Sequence, residues 1–232
     1  MTTIAANLQA VRARIAAACA TAGRPTGTVR LLAVSKTWQA ESLAEAVAAG
    51  QTAFGESYVQ EALPKMAALA TRPLPAPLEW HFIGPLQGNK TRPVAEQFAW
   101  VHSVDRLKIA ERLSAQRPAA MPPLNVCLQV NVSGESSKGG CSPGDAPEIA
   151  TAISRLPRLR LRGLMAIPAP TDDPVRQRTA FARLREMLES IARETGVALD
   201  TLSMGMSDDL EAAIMEGATL VRIGTAIFGT RN

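Results

Sequence analysis

The stretch LLAVSK, Leu31 to Lys36, sets the reading of the whole chain. Val29 to Ser35 is rich in Val and Leu and too short for a helix, so it predicts a buried strand. A buried strand that ends in an amine puts that amine at the rim of a core. Partial desolvation there favours the uncharged amine, the form that attacks a carbonyl. Taken alone, the same residues read more simply as a surface lysine just past a strand end, as most lysines are solvated. The other end of the chain changes that balance.

Outward from Lys36, strand-like and helix-like segments alternate. Ile4, Leu8, Val11 and Ile15 recur at helical spacing and predict an opening amphipathic helix, ended by Gly23 to Gly27. Strands are predicted over Val29–Ser35, Thr52–Phe54, Leu78–Ile83, Ala99–Val104, Leu124–Val132, Leu159–Ile167, Leu199–Met204 and Thr219–Ile223. Helices are predicted between them: Glu41–Ala49, Tyr58–Ala70, a segment following Asn89, one from Asp105 as N-cap to about Ala115, Asp145–Leu156, Val175–Thr195 and Asp208–Glu216. Regular alternation of this kind implies a parallel sheet. About eight βα steps in 232 residues fit one (β/α)8 TIM-like barrel, a single domain over residues 1–232 with the opening helix as an extra. A doubly wound open sheet is the alternative, but no GxGxxG follows the first strand.

Composition excludes several classes. Hydrophobic residues make up 47% and charged residues 20%, enough apolar material for a sizeable core. The net charge of +4 comes from 25 basic against 21 acidic residues that are interspersed. The one dense basic stretch, RLPRLRLR (Arg155 to Arg162), reads as the start of a strand with solvated arginines rather than a nucleic-acid stripe. Nine aromatics are too few for base-stacking platforms. Cys19, Cys127 and Cys141 match no zinc or CxxC spacing and read as reduced thiols. Arg12 and Arg14 interrupt any signal-peptide core, and no apolar run is long enough for a membrane, so a cytoplasmic protein with neither nucleic-acid nor membrane partner is expected.

In a barrel of this kind chemistry collects at the carboxyl ends of the strands, with phosphate held after strands seven and eight. SMGMSDD (Ser203 to Asp209) and VRIGTAIFG (Val221 to Gly229) fall there. Ser and Thr hydroxyls, glycines and exposed backbone N–H groups make an anion nest, although Gly-Thr and Ser-Asp are also ordinary turn and cap residues. Arg222, two residues before Gly224, faces the barrel mouth by strand alternation. Its partner is either an acidic residue (Asp208, Asp209 or Glu56) or a ring nitrogen or anionic ligand group. An amine that captures an aldehyde, a phosphate nest and an inward arginine together describe a pyridoxal phosphate site.

The motifs AVSKTW, FGESYVQE, WHFIGPLQGNK, VHSVD, QVNVSGESSKGG, GLMAIP, SMGMSDDLEAAI and VRIGTAIFG run in order through essentially the whole chain. On them the chain resembles the pyridoxal phosphate homeostasis protein family, relatives of the barrel domain of bacterial alanine racemase. The resemblance implies pyridoxal 5'-phosphate (PLP) held as an internal aldimine on Lys36, with Arg222 facing the pyridine nitrogen. It also implies that Ser203, Ser207, Gly224 and Thr225 hold the phosphate, with Met204, Gly205 and His81 as further cofactor-binding candidates. Ser57 departs from the asparagine usual in the second motif. His81 and His102 read equally as hydrogen-bonded core histidines, Asn89 as a helix cap, and Asp172, Asp173 and Pro174 as a helix start. Lys138 offers a possible second amine near the mouth.

Two functions from different classes fit this site. A racemase needs two positioned bases. In alanine racemases the second is a tyrosine held with the help of an extra domain, for which this chain leaves no room, and its single tyrosine, Tyr58, follows strand two. An arginine at the ring nitrogen leaves the ring a weak electron sink. The favoured expectation is therefore a carrier that stores PLP or delivers it to apo-enzymes, monomeric and without strong turnover. A lysine aldolase on the same barrel leaves Arg222 and the phosphate nest unexplained.

Overall fold

A computed structural model describes residues 3–135 and 139–230. Eight parallel strands close into a barrel in chain order: β1 (Arg30–Val34), β2 (Ala53–Glu56), β3 (Glu79–Phe82), β4 (Trp100–Val104), β5 (Leu124–Gln129), β6 (Leu159–Met165), β7 (Thr201–Ser203) and β8 (Leu220–Ile223). Closure is made by β1 pairing with β8, Leu32 lying opposite Arg222 and Ala33 opposite Ile223. The helices are α1 (Ile4–Thr21), α2 (Ala40–Ala48), α3 (Val59–Ala70), α4 (Thr91–Gln97), α5 (Leu107–Gln116), α6 (Ala146–Ser154), α7 (Pro174–Thr195), α8 (Leu210–Met215) and the single turn α9 (Thr225–Phe228). This is the TIM-like barrel with an added amino-terminal helix expected from the alternating pattern.

Two packing layers follow from strand alternation. Residues facing the helices form one large core, with Phe54, Val101, Leu128 and Leu164 on the strands meeting Leu43, Leu69, Leu113 and Phe181 on the helices. The barrel interior carries two small apolar clusters, Leu32, Ala53 and Leu220 with Ile83, and Trp100, Cys127 and Met165. Between them the interior is polar, which an apolar-only barrel filling would not leave. α1 buries Leu8, Val11, Ile15, Ala18 and Cys19, and two of its polar residues brace the carboxyl-end loops. Asn7 donates to Ile227 O at 2.8 Å and Arg14 to Ser207 O at 3.0 Å.

Some boundaries differ from the sequence reading for local reasons. β2 runs on through Gly55 to Glu56, because the Glu56 carboxylate is buried against a lysine of α3 instead of marking a strand end. β5 stops at Gln129, where Val130 makes a lone bridge to Cys141 and the chain turns away. Asp105 does not cap α5: its carboxylate pairs with the Arg106 guanidinium at 2.8 Å, and Arg106 takes the N-cap position. Asn89 lies in a 3-10 turn, Gly88–Lys90, without a capping bond. Asp173 does start α7 as expected, accepting from Val175 N and Arg176 N with Pro174 in the first turn. RLPRLRLR is the approach to β6, where Arg162 pairs with Asp200 at 2.6 Å.

Candidate cofactor site

The carboxyl ends of β1, β2, β3, β6 and β8 and the loop after β7 surround a cavity of about 230 Å3. Lys36, Ser207, Arg222, Gly224 and Thr225 all line it, with Trp38 and Ile83 as apolar walls. The sequence elements that predicted separate pieces of a site thus converge on one space.

Lys36 is half-buried, two residues beyond the end of β1. The chain turns sharply after it: Thr37 has φ of 69°, the left-handed region, which among the described residues no other non-glycine occupies. Such a conformation costs a β-branched residue on the order of 1 kcal/mol and persists only where neighbours enforce it. The enforcing contact is Glu61 of α3, whose Oε2 accepts from Thr37 N at 2.9 Å. Beneath this turn Lys65 Nζ donates to Ser35 O and to Glu56 Oε1, both at 2.9 Å, and Ser35 Oγ donates to the same carboxylate oxygen at 2.6 Å. Burial pushes the Glu56 carboxyl up, and the Lys65 and Ser35 hydrogen bonds pull it back. The other oxygen, Glu56 Oε2, is buried without a hydrogen-bond partner.

Arg222 is 5% exposed and donates to three neutral oxygens, Ser203 O and Oγ from Nη1 and Ala166 O from Nη2. None of the acidic partners considered for it takes that place: Glu56 is paired with Lys65, Asp209 Oδ1 accepts from Met206 N at 2.6 Å, and Asp208 lines the cavity. Burial lowers the guanidinium to about 10, so it stays charged at neutral pH. A cation fixed at the wall of a cavity, with its remaining face toward that cavity, suits a lone-pair acceptor on a ligand.

The loops after β7 and β8 form the anion end. Ala226 N donates to Ser207 Oγ at 3.4 Å, joining the two loops. Among the described residues, the backbone N–H groups of Ser207, Gly224 and Thr225 have no protein acceptor, so three donors remain for a ligand oxyanion. Gly224 is needed for closeness: a Cβ there would stand 3.2 Å from Val34 O and 3.3 Å from Val34 Cβ. The donor set, the half-buried amine and the guanidinium fit the phosphate, aldehyde and ring nitrogen of PLP.

The remaining candidates are not in the cavity lining. Ser203 is fully buried inside the barrel, where its Oγ accepts from Arg222 at 2.8 Å and lies 2.7 Å from His102 Nδ1. Alternation sends its side chain into the barrel, while the hydroxyl of the same motif that reaches the cavity is the half-buried Ser207. Met204 points into the helix-facing core. Gly205 is buried, with φ of 94° and a Cβ position only 2.7 Å from Ala213 Cβ, and its carbonyl accepts from Arg222 N. It shapes the loop from behind. His81 is fully buried between Glu79 and His102 and stacks on Trp100 with ring centroids 5.3 Å apart. Lys138 lies outside the described residues. Ser57, the departure from the usual motif, lines the cavity, and its carbonyl would meet a Cβ at Gly84. The sequence reading gives Lys65 and Glu61 no role, and Glu56 only that of a candidate partner for Arg222. The one available signal was an i, i+4 pair of Glu61 and Lys65 after a strand ending in glutamate.

The alanine racemase N-terminal domain family matches residues 6–232. A pyridoxal phosphate homeostasis protein of Pseudomonas aeruginosa is 65% identical over 232 residues, covering 100% of this chain and 97% of the relative. One from Escherichia coli is 54% identical, covering 100% and 98%. Among solved structures, PipY of Synechococcus elongatus with PLP bound superposes with a TM-score of 0.81 at 38% identity, over 93% of this chain and 100% of PipY. An alanine racemase of Corynebacterium glutamicum shares the fold alone, with a TM-score of 0.69 at 17% identity over 97% of this chain and 62% of the racemase. By full-length identity, and by a barrel whose mouth suits the same ligand, the chain belongs to the pyridoxal phosphate homeostasis protein family.

Proposed function

We propose that this chain is a single PLP-binding domain, residues 1–232, that stores PLP or delivers it to apo-enzymes without strong catalytic turnover, as a cytoplasmic monomer. Lys36 Nζ holds the aldehyde carbon covalently, Arg222 faces the ring nitrogen, and Ser207, Gly224 and Thr225 hold the phosphate. The observation that carries this reading is the convergence of Lys36, Arg222 and the Ser207–Gly224–Thr225 donors on one cavity. The names of the close relatives and the PLP in PipY support it. Among the described residues, no helix is long and apolar enough to cross a membrane.

Bound PLP supplies a reactive aldehyde and a ring able to draw electrons. How strongly the ring draws them depends on the residue at its nitrogen. A guanidinium donates and does not accept, so the nitrogen it faces stays unprotonated and the ring is a poor carbanion sink. Racemisation also needs a second base. Tyr58 is 51% exposed and absent from the cavity lining. These features favour holding over turnover.

The test is α-deuterium incorporation into L- and D-alanine by the PLP-loaded protein in heavy water. Exchange no faster than with PLP in solution is expected, together with a visible absorption band that Lys36→Ala abolishes. Faster exchange that depends on Lys36 would instead make the protein a racemase-type enzyme.

A further inference from the structure

The polar interior of the barrel is one continuous chain of contacts. Arg222 Nη1 stands 2.8 Å from Ser203 Oγ, Ser203 Oγ is 2.7 Å from His102 Nδ1, and His102 Nε2 is 2.8 Å from His81 Nδ1. His81 Nε2 is 2.7 Å from Glu79 Oε1, which also accepts from Arg30 Nη2 at 2.6 Å. The path starts at the mouth, crosses β7, β4 and β3, and ends at the amino-terminal end of the barrel, where Glu79 begins its strand. Ser203, His81 and His102 are each 0% exposed.

The two ends give the chain a direction. A guanidinium can only donate and an ionised carboxylate can only accept. From the mouth, Ser203 Oγ accepts from Arg222 and sends its single proton to His102 Nδ1. From the other end, His81 donates Nε2–H to Glu79, leaving Nδ1 to accept from His102 Nε2–H. The two assignments meet without conflict: both imidazoles are neutral, and both carry the proton on Nε2. Burial lowers both histidines from their usual range, for His81 against the raising effect of Glu79 and for His102 with help from the neighbouring His81 and Arg222, the direction that favours the neutral rings this geometry requires. Trp100 packs on both rings, with centroids 5.3 Å from His81 and 5.7 Å from His102, and limits their rotation.

We infer that Glu79, His81, His102 and Ser203 are positioning residues for Arg222, a one-way hydrogen-bond relay through the barrel that fixes the guanidinium in one orientation at the cavity wall. Each donor in such a series is polarised by the next, so the bond to Arg222 is stronger than an isolated serine would make. The relay ends on the Glu79 carboxylate, the acceptor that sets its direction. What the guanidinium then faces, a ring nitrogen, rests on the proposed function; the relay itself does not.

The chain contains two histidines and both belong to the relay, so labelling histidine with nitrogen-15 gives two imidazole signals without assignment by mutation. In the protein without PLP at about pH 7, both should be neutral Nε2–H tautomers. An Nδ1–H tautomer or an imidazolium at either position would overturn the direction of the relay. The Arg222 Nη protons should be resolved separately, reporting hindered rotation; in Ser203→Ala the bonds to Ser203 O and Ala166 O remain, so the Nη1 protons should shift and exchange faster with solvent while a His102 Nδ1 shift reports the lost donor. Unchanged Arg222 and His102 signals in that variant would overturn the positioning role. In the PLP-loaded protein, Ser203→Ala should shift the visible band and weaken PLP retention about tenfold, the worth of one hydrogen bond to a charged group. A wild-type protein that takes up no PLP would break the proposed function while leaving the histidine and arginine readouts standing.

Discussion

The two sides of the cavity are built on opposite principles. Around Arg222 the polar groups are buried, neutral apart from the guanidinium itself, and satisfied in series. Around Lys36 the support is ionic and incomplete. A left-handed threonine follows the lysine, and a buried carboxylate–ammonium pair props the preceding turn. Among the described residues only two buried side-chain polar atoms lack a partner, Glu56 Oε2 and Gln116 Oε1, and the first belongs to the carboxylate that accepts from the hydroxyl of Ser35, the residue before Lys36. Neither lies in the relay. A satisfied network fixes one geometry, whereas strain and an unfilled acceptor mark a region that holds its geometry against a cost. Under the proposed function, the Arg222 side would orient the ligand and the Lys36 side would be where it is taken up and let go.

The sharpest break of this contrast is Lys65→Met. It removes the partner of a carboxylate that is fully buried and leaves that charge uncompensated, a loss of about 3–5 kcal/mol at neutral pH. The pH dependence carries the sign. Burial already raises the Glu56 carboxyl above 4.5, and the Lys65 contacts oppose that rise. A carboxyl raised in the folded state binds more protons folded than unfolded, so stability falls as pH climbs through the folded value. Without Lys65 the rise is larger. The deficit in urea unfolding should be small below about pH 4.5 and grow as the pH increases. Adding Glu56→Gln should recover part of it. A deficit that is flat with pH would mean that lost packing, and not the stranded charge, accounts for the cost.

Glu79→Gln probes the far end of the relay. Its carboxyl is lowered from 4.5 to about 2, first by the hydrogen bond to His81 and further by Arg30, against the opposing effect of burial. For a carboxylate lowered in the folded state, the stabilisation is present above the unfolded value and is lost as pH falls through the folded one. The Glu79 side chain is 36% exposed, so solvent screening reduces the gain to about 1–2 kcal/mol. Wild type should exceed the variant by that amount near pH 6, and the two should converge between pH 4.5 and about 2. A gap that survives at the acid end would place the effect in packing rather than in the charge.

What was legible in the sequence was what depends on local period and on strand-end position. The strand at Leu31, the alternation after it and the convergence of Lys36, Arg222, Ser207, Gly224 and Thr225 on the carboxyl face need only the pattern and the rule that loops follow strands. Partnerships across the barrel were not legible. Whether His81 meets His102 depends on the register of β3 against β4, where His81 stands opposite Trp100, and no property of either strand alone fixes that. The motif groups Ser203 with the phosphate-holding residues, yet it is the last residue of β7 and alternation turns it inward. Glu56 falls outside the strand that the sequence pattern predicts, because a charge normally ends an apolar run. Its partner, nine residues on and a helix away, is what allows it to be buried.

The smallest effect tests the amine side most directly. Thr37→Gly removes a side chain from a position with φ of 69°, which glycine adopts without penalty. Relief of strain is partly offset by the greater freedom of glycine in the unfolded chain, so the net change should be a stabilisation of about 0.5 kcal/mol, read from the denaturation midpoint. The same change relaxes the turn that Glu61 holds through Thr37 N and lets Lys36 sample more orientations. PLP should then be lost faster on dialysis from a protein that is no less stable. A protein that is weaker in both respects would mean that Thr37 supports the site through packing. One that is more stable and retains PLP equally well would show that the strain is unconnected with holding the ligand. Only the opposite movement of stability and retention fits a turn kept under tension beside the amine, with the relay supplying rigidity on the other wall.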